Sequence, residues 1–407
     1  MKKVFLTLAS VTLATAPVVA QKAAVDEAEK LAKANKIEAY DEAKATIAPA
    51  LENAETKDDA RTWYVAGKGG FTYYDNMQAQ KALQKQVDNT KMANAIVDGY
   101  QYFLKAYALD SIPEVEKDGS LKIDKKTGAV KFKSKYRKDI ISTVASHMND
   151  FQNAGSVCYE QKDFAGAYKA WNAYGEVRKF AGSKAPAVAD TIVGQIMFFK
   201  GIAAWQDKKQ ADAVKAFDEA LALGYNKEDV YKYSMACYAQ IQDNAGVVKM
   251  AKLALPLYGS KNPQYLSIVA SDLINDKKYD EAMKLADDAI AQNAQNADAY
   301  NTKAYIYEQQ GDADNAQAFY KKSVEVNPQY AEGYFNLGRL IYNKGVKIVE
   351  AADPKMAQAA YSKMMEQEVK PLYKEALPYL QKAVELNPQH RGALDALDKV
   401  KYGLGME

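Results

Sequence analysis

The sequence predicts an all-α protein built as an α-solenoid of helix–turn–helix pairs. The first observation is a period of about 34 residues over which small and large side chains recur. The second is helical spacing, since Tyr300, Ala304 and Tyr307 form one stripe of a first helix. The third is turn chemistry, because Gly311 separates the two helices of this segment and Pro328 closes it.

Small residues recur where two helices of a pair have to approach closely. With Ala297 as position one, position eight is small in eight successive alignments: Gly67, Gly155, Gly201, Ala236, Ala270, Ala304, Gly338 and Ala396. Position 20 follows the same rule with Ala43, Gly99, Ala167, Ala213, Val248, Ala282, Ala316 and Ala376. Position 27 reads Ala50, Ala106, Tyr174, Ala220, Ala254, Ala289, Ser323 and Ala383. So many matches in phase predict stacked pairs along nearly the whole chain.

This pattern resembles the tetratricopeptide repeat, whose helix pairs carry small residues at these positions and a proline at the end. The resemblance implies a right-handed solenoid with a concave groove lined by the first helix of each pair. It also implies a protein or peptide partner.

The period and its interruptions predict the organisation of the chain. Residues 1–20 read as a signal peptide, with Lys2 and Lys3 before an apolar run and Ala20 at the cleavage site. The following segments are degenerate repeats (21–111, with an insertion at 71–90), a lysine-rich hairpin or loop and a lead-in helix (112–147), regular repeats (148–330), an expanded repeat (331–388), and a capping helix with a tail (389–407).

The two insertions have predicted local structures. In the first, a loop is expected at Gly69 and Gly70, followed by extra helix length. In the second, Pro354 is expected at the junction of two lengthened helices, and Pro371 and Pro378 are expected to kink or break the second of them.

Residues 112–135 break the helical pattern. Apolar residues alternate with lysines around Lys126-Thr127-Gly128, which predicts a β-hairpin. The basic excess has two interpretations: a finger that contacts an anionic surface or an acidic protein, or an exposed edge on which lysines prevent aggregation. The second is favoured because lysines commonly protect sheet edges.

The predicted export and the net charge of the chain restrict the classes of partner that it can meet. The predicted signal peptide places the mature protein in the periplasm or the medium, and no later stretch is apolar and long enough to span a bilayer. The chain has a formal net charge of +2, to which Lys2 and Lys3 of the signal contribute, so the remainder is balanced. A nucleic-acid partner is therefore not expected.

The sequence offers no arrangement typical of an enzyme. His147 and His390 are the only histidines and lie far apart along the repeats. No Cys/His cluster has the spacing of a zinc site, so neither metal nor cofactor is expected. Cys158 and Cys237 lie two repeats apart, too far for a disulfide, and are expected to be free thiols.

The resemblance places the partner site on the first helices, at positions 2, 5, 6, 9, 12 and 13 of each repeat. Aromatic and polar residues at these positions are expected to bind the partner: Tyr159, Phe198, Phe199, Trp205, Tyr233, Asn301, Tyr305, Phe335, Asn336, Arg339 and Tyr342.

One family subtype holds acidic chain ends with a clamp of basic residues and asparagines. Asn336 occupies a clamp-like position, but Asn301 stands where a lysine is expected and Leu394 where a basic residue is expected. The clamp is therefore not predicted.

Two functions fit these expectations. The first is an exported scaffold that holds a peptide or partner protein in its groove, for envelope assembly or secretion. The second is a protein that binds glycans or the envelope surface through the aromatic groove and the basic finger.

Overall fold

The computed structural model describes residues 18–34 and 38–406. The helices of the described chain are, in order, α1 (Val18–Lys33), α2 (Ala39–Glu52), α3 (Ala60–Ala82), α4 (Asn89–Leu109), α5 (Arg137–Ser146), α6 (Met148–Glu160), α7 (Phe164–Ala181), α8 (Asp190–Gln206), α9 (Gln210–Ala222), α10 (Glu228–Gln240), α11 (Asn244–Tyr258), α12 (Gln264–Asn275), α13 (Tyr279–Gln292), α14 (Ala297–Gln309), α15 (Ala313–Val326), α16 (Ala331–Glu350), α17 (Gln358–Met364), α18 (Lys370–Leu386) and α19 (Arg391–Leu404). The predicted signal peptide, residues 1–20, lies outside the described residues except for the last three, which begin α1.

The chain divides into two compact units, Met1–Tyr233 and Ser234–Glu407, called here the first and the second unit. In the first unit α3 packs on α4, α6 on α7, and α8 on α9. In the second unit α14 packs on α15, and α16 packs on α18, which also contacts α19. The predicted fold class, all-α helix pairs stacked in sequence with a small inserted hairpin, is confirmed.

The small residues of the repeat lie where two helices meet. A Cβ atom at Gly201 would lie 2.6 Å from Cδ1 of Phe217 on the paired helix, and one at Gly155 would lie 2.6 Å from Cε2 of Trp171. Ala304 and Ala316 of the regular repeat are fully buried. Each close approach lets the aromatic residue of the second helix fill the interior of the pair.

One repeat differs from its expected alignment. Ala236, expected to pack at position eight, is exposed, whereas its neighbours Met235 and Cys237 are buried. The buried residues of α10 include Val230, Ser234, Met235 and Cys237, so Ala236 lies on the side of the helix that faces away from them. Val248 at position 20 is only half-buried.

The expected loop at Gly69 and Gly70 is wrong, because α3 continues through both glycines. A Cβ atom at Gly70 would collide with the carbonyl oxygen of Ala95 and lie 3.2 Å from Cα of Gly99 on α4. The glycine therefore permits a close crossing of two long helices rather than a turn.

The prolines of the expanded repeat act differently from expectation. Pro354 lies in the turn after α16, as expected, but α18 runs unbroken through Pro378. The irregularity is instead a π-helical segment, Met365–Val369, directly before Pro371. The backbone N–H of Lys370 donates to the carbonyl of Met365, five residues back, which widens the helix where the proline enters.

Residues 112–135 form the predicted hairpin, called here the finger. Strand β1 (Ile112–Pro113) pairs antiparallel with β2 (Phe132–Lys133), and two further bridges join Val115 to Leu121 and Ile123 to Val130. At its base, buried Asp110 accepts hydrogen bonds from the backbone N–H groups of Lys135, Tyr136 and Arg137. This carboxylate fastens the end of the finger to the end of α4.

The two cysteines are free and buried, as expected for the thiols. Burial raises the pKa of each to about 11, so both remain protonated at neutral pH and act as small apolar side chains.

Among the described residues, no helix combines the length and the apolar character that crossing a membrane requires.

Candidate functional site

The predicted partner-binding residues fall into two sets, one in each unit. In the first unit they form a connected aromatic cluster on α6, α8 and α10. Ring centroids of Phe198 and Phe199 lie 5.7 Å apart, those of Phe198 and Tyr233 6.1 Å apart, and those of Trp205 and Tyr233 5.1 Å apart. Tyr159 joins the cluster through Trp171, whose ring lies 5.8 Å from Tyr159 and 5.9 Å from Phe199.

Burial separates the members of this cluster. Phe198 is only 9% exposed and packs on Phe217 and Tyr225, with ring centroids 5.8 and 5.6 Å away. Phe199, one residue later, is 38% exposed. Phe198 therefore belongs to the interior of the pair, whereas Phe199 and the half-buried Trp205 are partly exposed members of the cluster.

In the second unit, side chains from the first helices of three consecutive repeats line a cavity of about 430 Å³. The lining residues on α12, α14 and α16 and in the turn before α16 are Ser267, Ala270, Ser271, Ile274, Asp298, Asn301, Thr302, Tyr305, Tyr330, Glu332 and Asn336. Three of the predicted site residues, Asn301, Tyr305 and Asn336, are among them. We call this cavity the polar groove.

Two amides bridge neighbouring repeats across the polar groove. The Nδ2 group of Asn336 donates to Oδ1 of Asn301 at 3.1 Å and also lies 3.3 Å from Oε1 of Glu332. Both residues line the cavity together with hydroxyl and carboxylate side chains. A pair of this kind can both donate to and accept from a peptide group.

The polar groove is acidic. Asp298 accepts a hydrogen bond from the hydroxyl of Tyr330 at 2.9 Å, and Glu332 lies 2.9 Å from Nε2 of His390. Burial raises the pKa of Asp298, while the hydrogen bond from Tyr330 opposes that shift. Burial beside Asp298 also raises the pKa of Tyr330, so this phenol stays a donor.

Arg339, which does not line the groove, is paired with a carboxylate on the neighbouring repeat. Its guanidinium donates two parallel hydrogen bonds to Glu308, at 2.9 and 2.8 Å, and the fully buried Tyr320 donates to the same carboxylate at 2.8 Å. Burial alone would lower the pKa of Arg339, but Glu308 outweighs it and the pKa is raised. The pair is a positioning element rather than a free cation.

Phe335 and Tyr342 pack beside the groove rather than lining it. The ring of Phe335 lies 4.5 Å from His390, and that of Tyr342 lies 5.0 Å from Tyr373. Both pack against the buried core of the second unit.

Several residues of the polar groove were not singled out from the sequence. Asp298 and Glu332 occupy position 2 of their repeats, and Ser267 and Ser271 occupy positions 5 and 9. All four positions belong to the predicted inner face. Their shared positions identify them as readily as Asn301.

Within the described part of the chain, no group of three or more His, Cys, Asp or Glu side chains is placed to hold a metal ion.

The comparisons with known proteins place one segment in a family. A tetratricopeptide repeat model matches residues 297–330. No curated protein matches the sequence.

Solved structures that resemble the chain do so weakly. A tetratricopeptide repeat protein from Bacteroides fragilis is 19% identical, covers 63% of this chain and 98% of its own, and has a TM-score of 0.33. A tetratricopeptide repeat protein of Thermus thermophilus is 15% identical over 52% of this chain and 100% of its own, with a TM-score of 0.32. YrrB, described as having an unusual peptide-binding site, is 19% identical over the same shares, 52% and 100%, with a TM-score of 0.31.

The matched segment coincides with α14 and α15 and the turn that follows. The pairs α6–α7, α8–α9 and α16–α18 pack around small residues at the same repeat positions. The chain thus contains a tetratricopeptide repeat at residues 297–330, and its neighbouring helix pairs are built in the same way. Proteins with this repeat generally serve as non-enzymatic scaffolds for interaction between proteins.

Proposed function

We propose that the chain is an exported scaffold whose polar groove holds an extended peptide segment of a partner protein. The observation that carries the proposal is the Asn301–Asn336 pair, which spans two repeats and faces the cavity. The backbone of an extended peptide presents hydrogen-bond donors and acceptors at regular intervals. Side-chain amides one repeat apart can pair with these backbone groups whatever the side chains of the peptide are.

The carboxylates of the polar groove favour peptides with basic side chains. Asp298 and Glu332 contribute carboxylates to the groove, and Arg339, the cation beside it, is already paired with Glu308. A basic side chain in the peptide would complement these carboxylates, whereas an acidic one would meet like charge. We therefore infer that the preferred segment carries lysine or arginine.

The aromatic surface in the first unit, formed by Phe199 and Trp205, offers apolar area for a second part of the partner. Partly exposed aromatic side chains are typical anchors in interfaces. Envelope assembly or secretion would be served by such a scaffold.

A random peptide library displayed on phage and selected on the purified protein tests the groove. We expect enrichment of peptides that contain lysine or arginine.

Asn336→Ala should lower the affinity for a selected peptide roughly five- to tenfold, because it removes hydrogen bonds worth about 1 kcal/mol each. Asp298→Asn should reduce the preference for a basic residue, measured by fluorescence polarisation.

The matched control is Gln381→Ala, an exposed amide on α18 outside the groove, which should leave the affinity unchanged.

Peptide binding should also decline as the pH falls through the raised pKa of Asp298, since protonation removes the negative charge that attracts the basic side chain of the peptide. Enrichment of acidic peptides would contradict the charge assignment. Binding of polysaccharides, but not peptides, would favour the glycan-binding alternative.

Export rests on residues 1–20 alone. Fused to a reporter enzyme that is active only outside the cytoplasm, this segment should confer activity, because its basic start and apolar run fit a secretory signal. Replacing Val11 and Leu13 in the apolar run with aspartate should abolish the activity. An inactive fusion with the unchanged segment would remove export from the proposal.

A further inference from the structure

The finger is a small sheet with two chemically distinct faces. Residues directly opposite each other in an antiparallel pair share a face, and so do residues two apart along a strand. The pairings of Pro113 with Phe132, Val115 with Leu121, and Ile123 with Val130 therefore place six apolar residues on one face. The pattern continues across all three strand segments without a polar interruption.

This apolar face is open. Val115 is 60% exposed, Leu121 51%, Ile123 47% and Phe132 55%. Proteins rarely leave a contiguous apolar patch uncovered unless it contacts something else.

The opposite face carries the ion pairs of the finger and, at its base, Ile112 paired with Lys133. Lys122 Nζ lies 3.1 Å from Glu114, and Lys131 Nζ lies 3.7 Å from Asp124. Two acidic residues of the finger are thus matched by lysines that point away from the apolar face.

The remaining charge of the finger is basic. Residues 112–135 contain seven lysines and four acidic residues. Lys125 and Lys126 are exposed in the turn between Ile123 and Val130, at the edge of the apolar face. An apolar surface bordered by lysines is the arrangement of proteins that lie in the interface of an anionic bilayer.

We propose that the finger docks the protein onto an anionic lipid bilayer. The apolar face enters the boundary between headgroups and acyl chains, and Lys125 and Lys126 contact lipid phosphates. A second copy of the chain is disfavoured as the occupant, because two basic fingers repel each other. A protein partner would ordinarily be met by polar groups interspersed with apolar ones, and this face has none.

The hydrogen bonds that Asp110 accepts hold the base of the finger in place. Because that carboxylate holds three consecutive backbone N–H groups, the sheet does not need the bilayer in order to form. Docking therefore requires little loss of conformational entropy in the finger.

Sedimentation with vesicles tests the proposal. The full-length protein should bind vesicles of phosphatidylcholine mixed with phosphatidylglycerol, and should bind pure phosphatidylcholine vesicles much more weakly. The double variant Leu121→Ser/Phe132→Ser should lower partitioning by about tenfold or more, since it removes two exposed apolar side chains that docking would bury in the bilayer. Lys125→Gln/Lys126→Gln should lower partitioning by roughly tenfold or more. Added salt should weaken the binding of the unmodified protein to the vesicles.

Matched controls are Leu83→Ser, at an exposed leucine outside the finger, and Lys30→Gln, at an exposed lysine on α1. Both should bind as the unmodified protein does, and every variant keeps residues 1–20, so that segment contributes equally. Unchanged melting temperatures show that the finger variants fold.

Several outcomes would overturn the proposal. These are equal binding to both vesicle types, no binding to either, and finger variants that bind as well as the controls. A dimer that the finger variants abolish would assign the face to a second copy. Capture of an acidic protein in place of vesicles would assign it to a protein partner.

Discussion

Replacing Gly201 with leucine is expected to destabilise the α8–α9 pair by about 1–3 kcal/mol. A Cβ atom at this position would lie 2.6 Å from Cδ1 of Phe217, whose ring is fully buried. The ring cannot move aside without displacing its neighbours, because the interior of the pair is close-packed. Chemical denaturation followed by circular dichroism should show a lower midpoint.

Gly69→Ala is the control for glycine replacement itself. Gly69 lies within α3, and a Cβ atom there would have Cβ of Ala32, 4.0 Å away, as its nearest neighbour. Alanine should fit and should stabilise the helix by about 0.5–1 kcal/mol, since it reduces the freedom of the unfolded chain. Gly201→Ala should not share this gain. Equal effects at the two glycines would show that the contact with Phe217 is unimportant.

The period predicted much of the fold because each helix pair packs mainly on its neighbours. Small residues at positions 8, 20 and 27 mark contacts that recur, so Gly155, Gly201 and Ala304 could be placed without coordinates. The period was wrong at Ala236, because the buried side of α10 runs through Ser234, Met235 and Cys237 instead. A one-residue error in the alignment of a repeat moves a residue from the buried to the exposed side of its helix.

The interrupted segments were harder to predict. Gly69 and Gly70 resemble a loop in sequence, and only the crossing of α3 and α4 reveals that Gly70 serves close contact. The hairpin signal around Gly128 was correct, since a glycine with positive φ between alternating residues is a local feature. That six of its apolar residues share one face follows from the register, which local sequence does not specify.

The candidate site was predictable by position but not by chemistry. The inner-face positions include both the aromatic residues of the first unit and the polar groove of the second. Which of them are paired depends on neighbours in space: Arg339 is engaged by Glu308, and Asp298 by Tyr330. These contacts lie about one repeat apart in sequence and follow no fixed rule of spacing.

Replacing Phe198 with alanine is expected to cost about 3–5 kcal/mol of unfolding free energy. Its ring is 9% exposed and lies among Phe199, Phe217, Tyr225 and Tyr233, so truncation leaves a cavity that the surrounding rings cannot close. Denaturant midpoints measured by circular dichroism should show the loss.

Phe199→Ala is the matched comparison, since it removes the same side chain from the next residue of α8. Its ring is 38% exposed, so we expect a cost of about 1–2 kcal/mol, well below that of Phe198→Ala. Trp205→Ala should resemble Phe199→Ala in stability, because Trp205 is also only partly buried. Partner binding, by contrast, should fall with Phe199→Ala and Trp205→Ala, measured on folded protein. If Phe198→Ala and Phe199→Ala cost the same, the division of the cluster into interior and surface is wrong, and the aromatic surface has no separate role in binding.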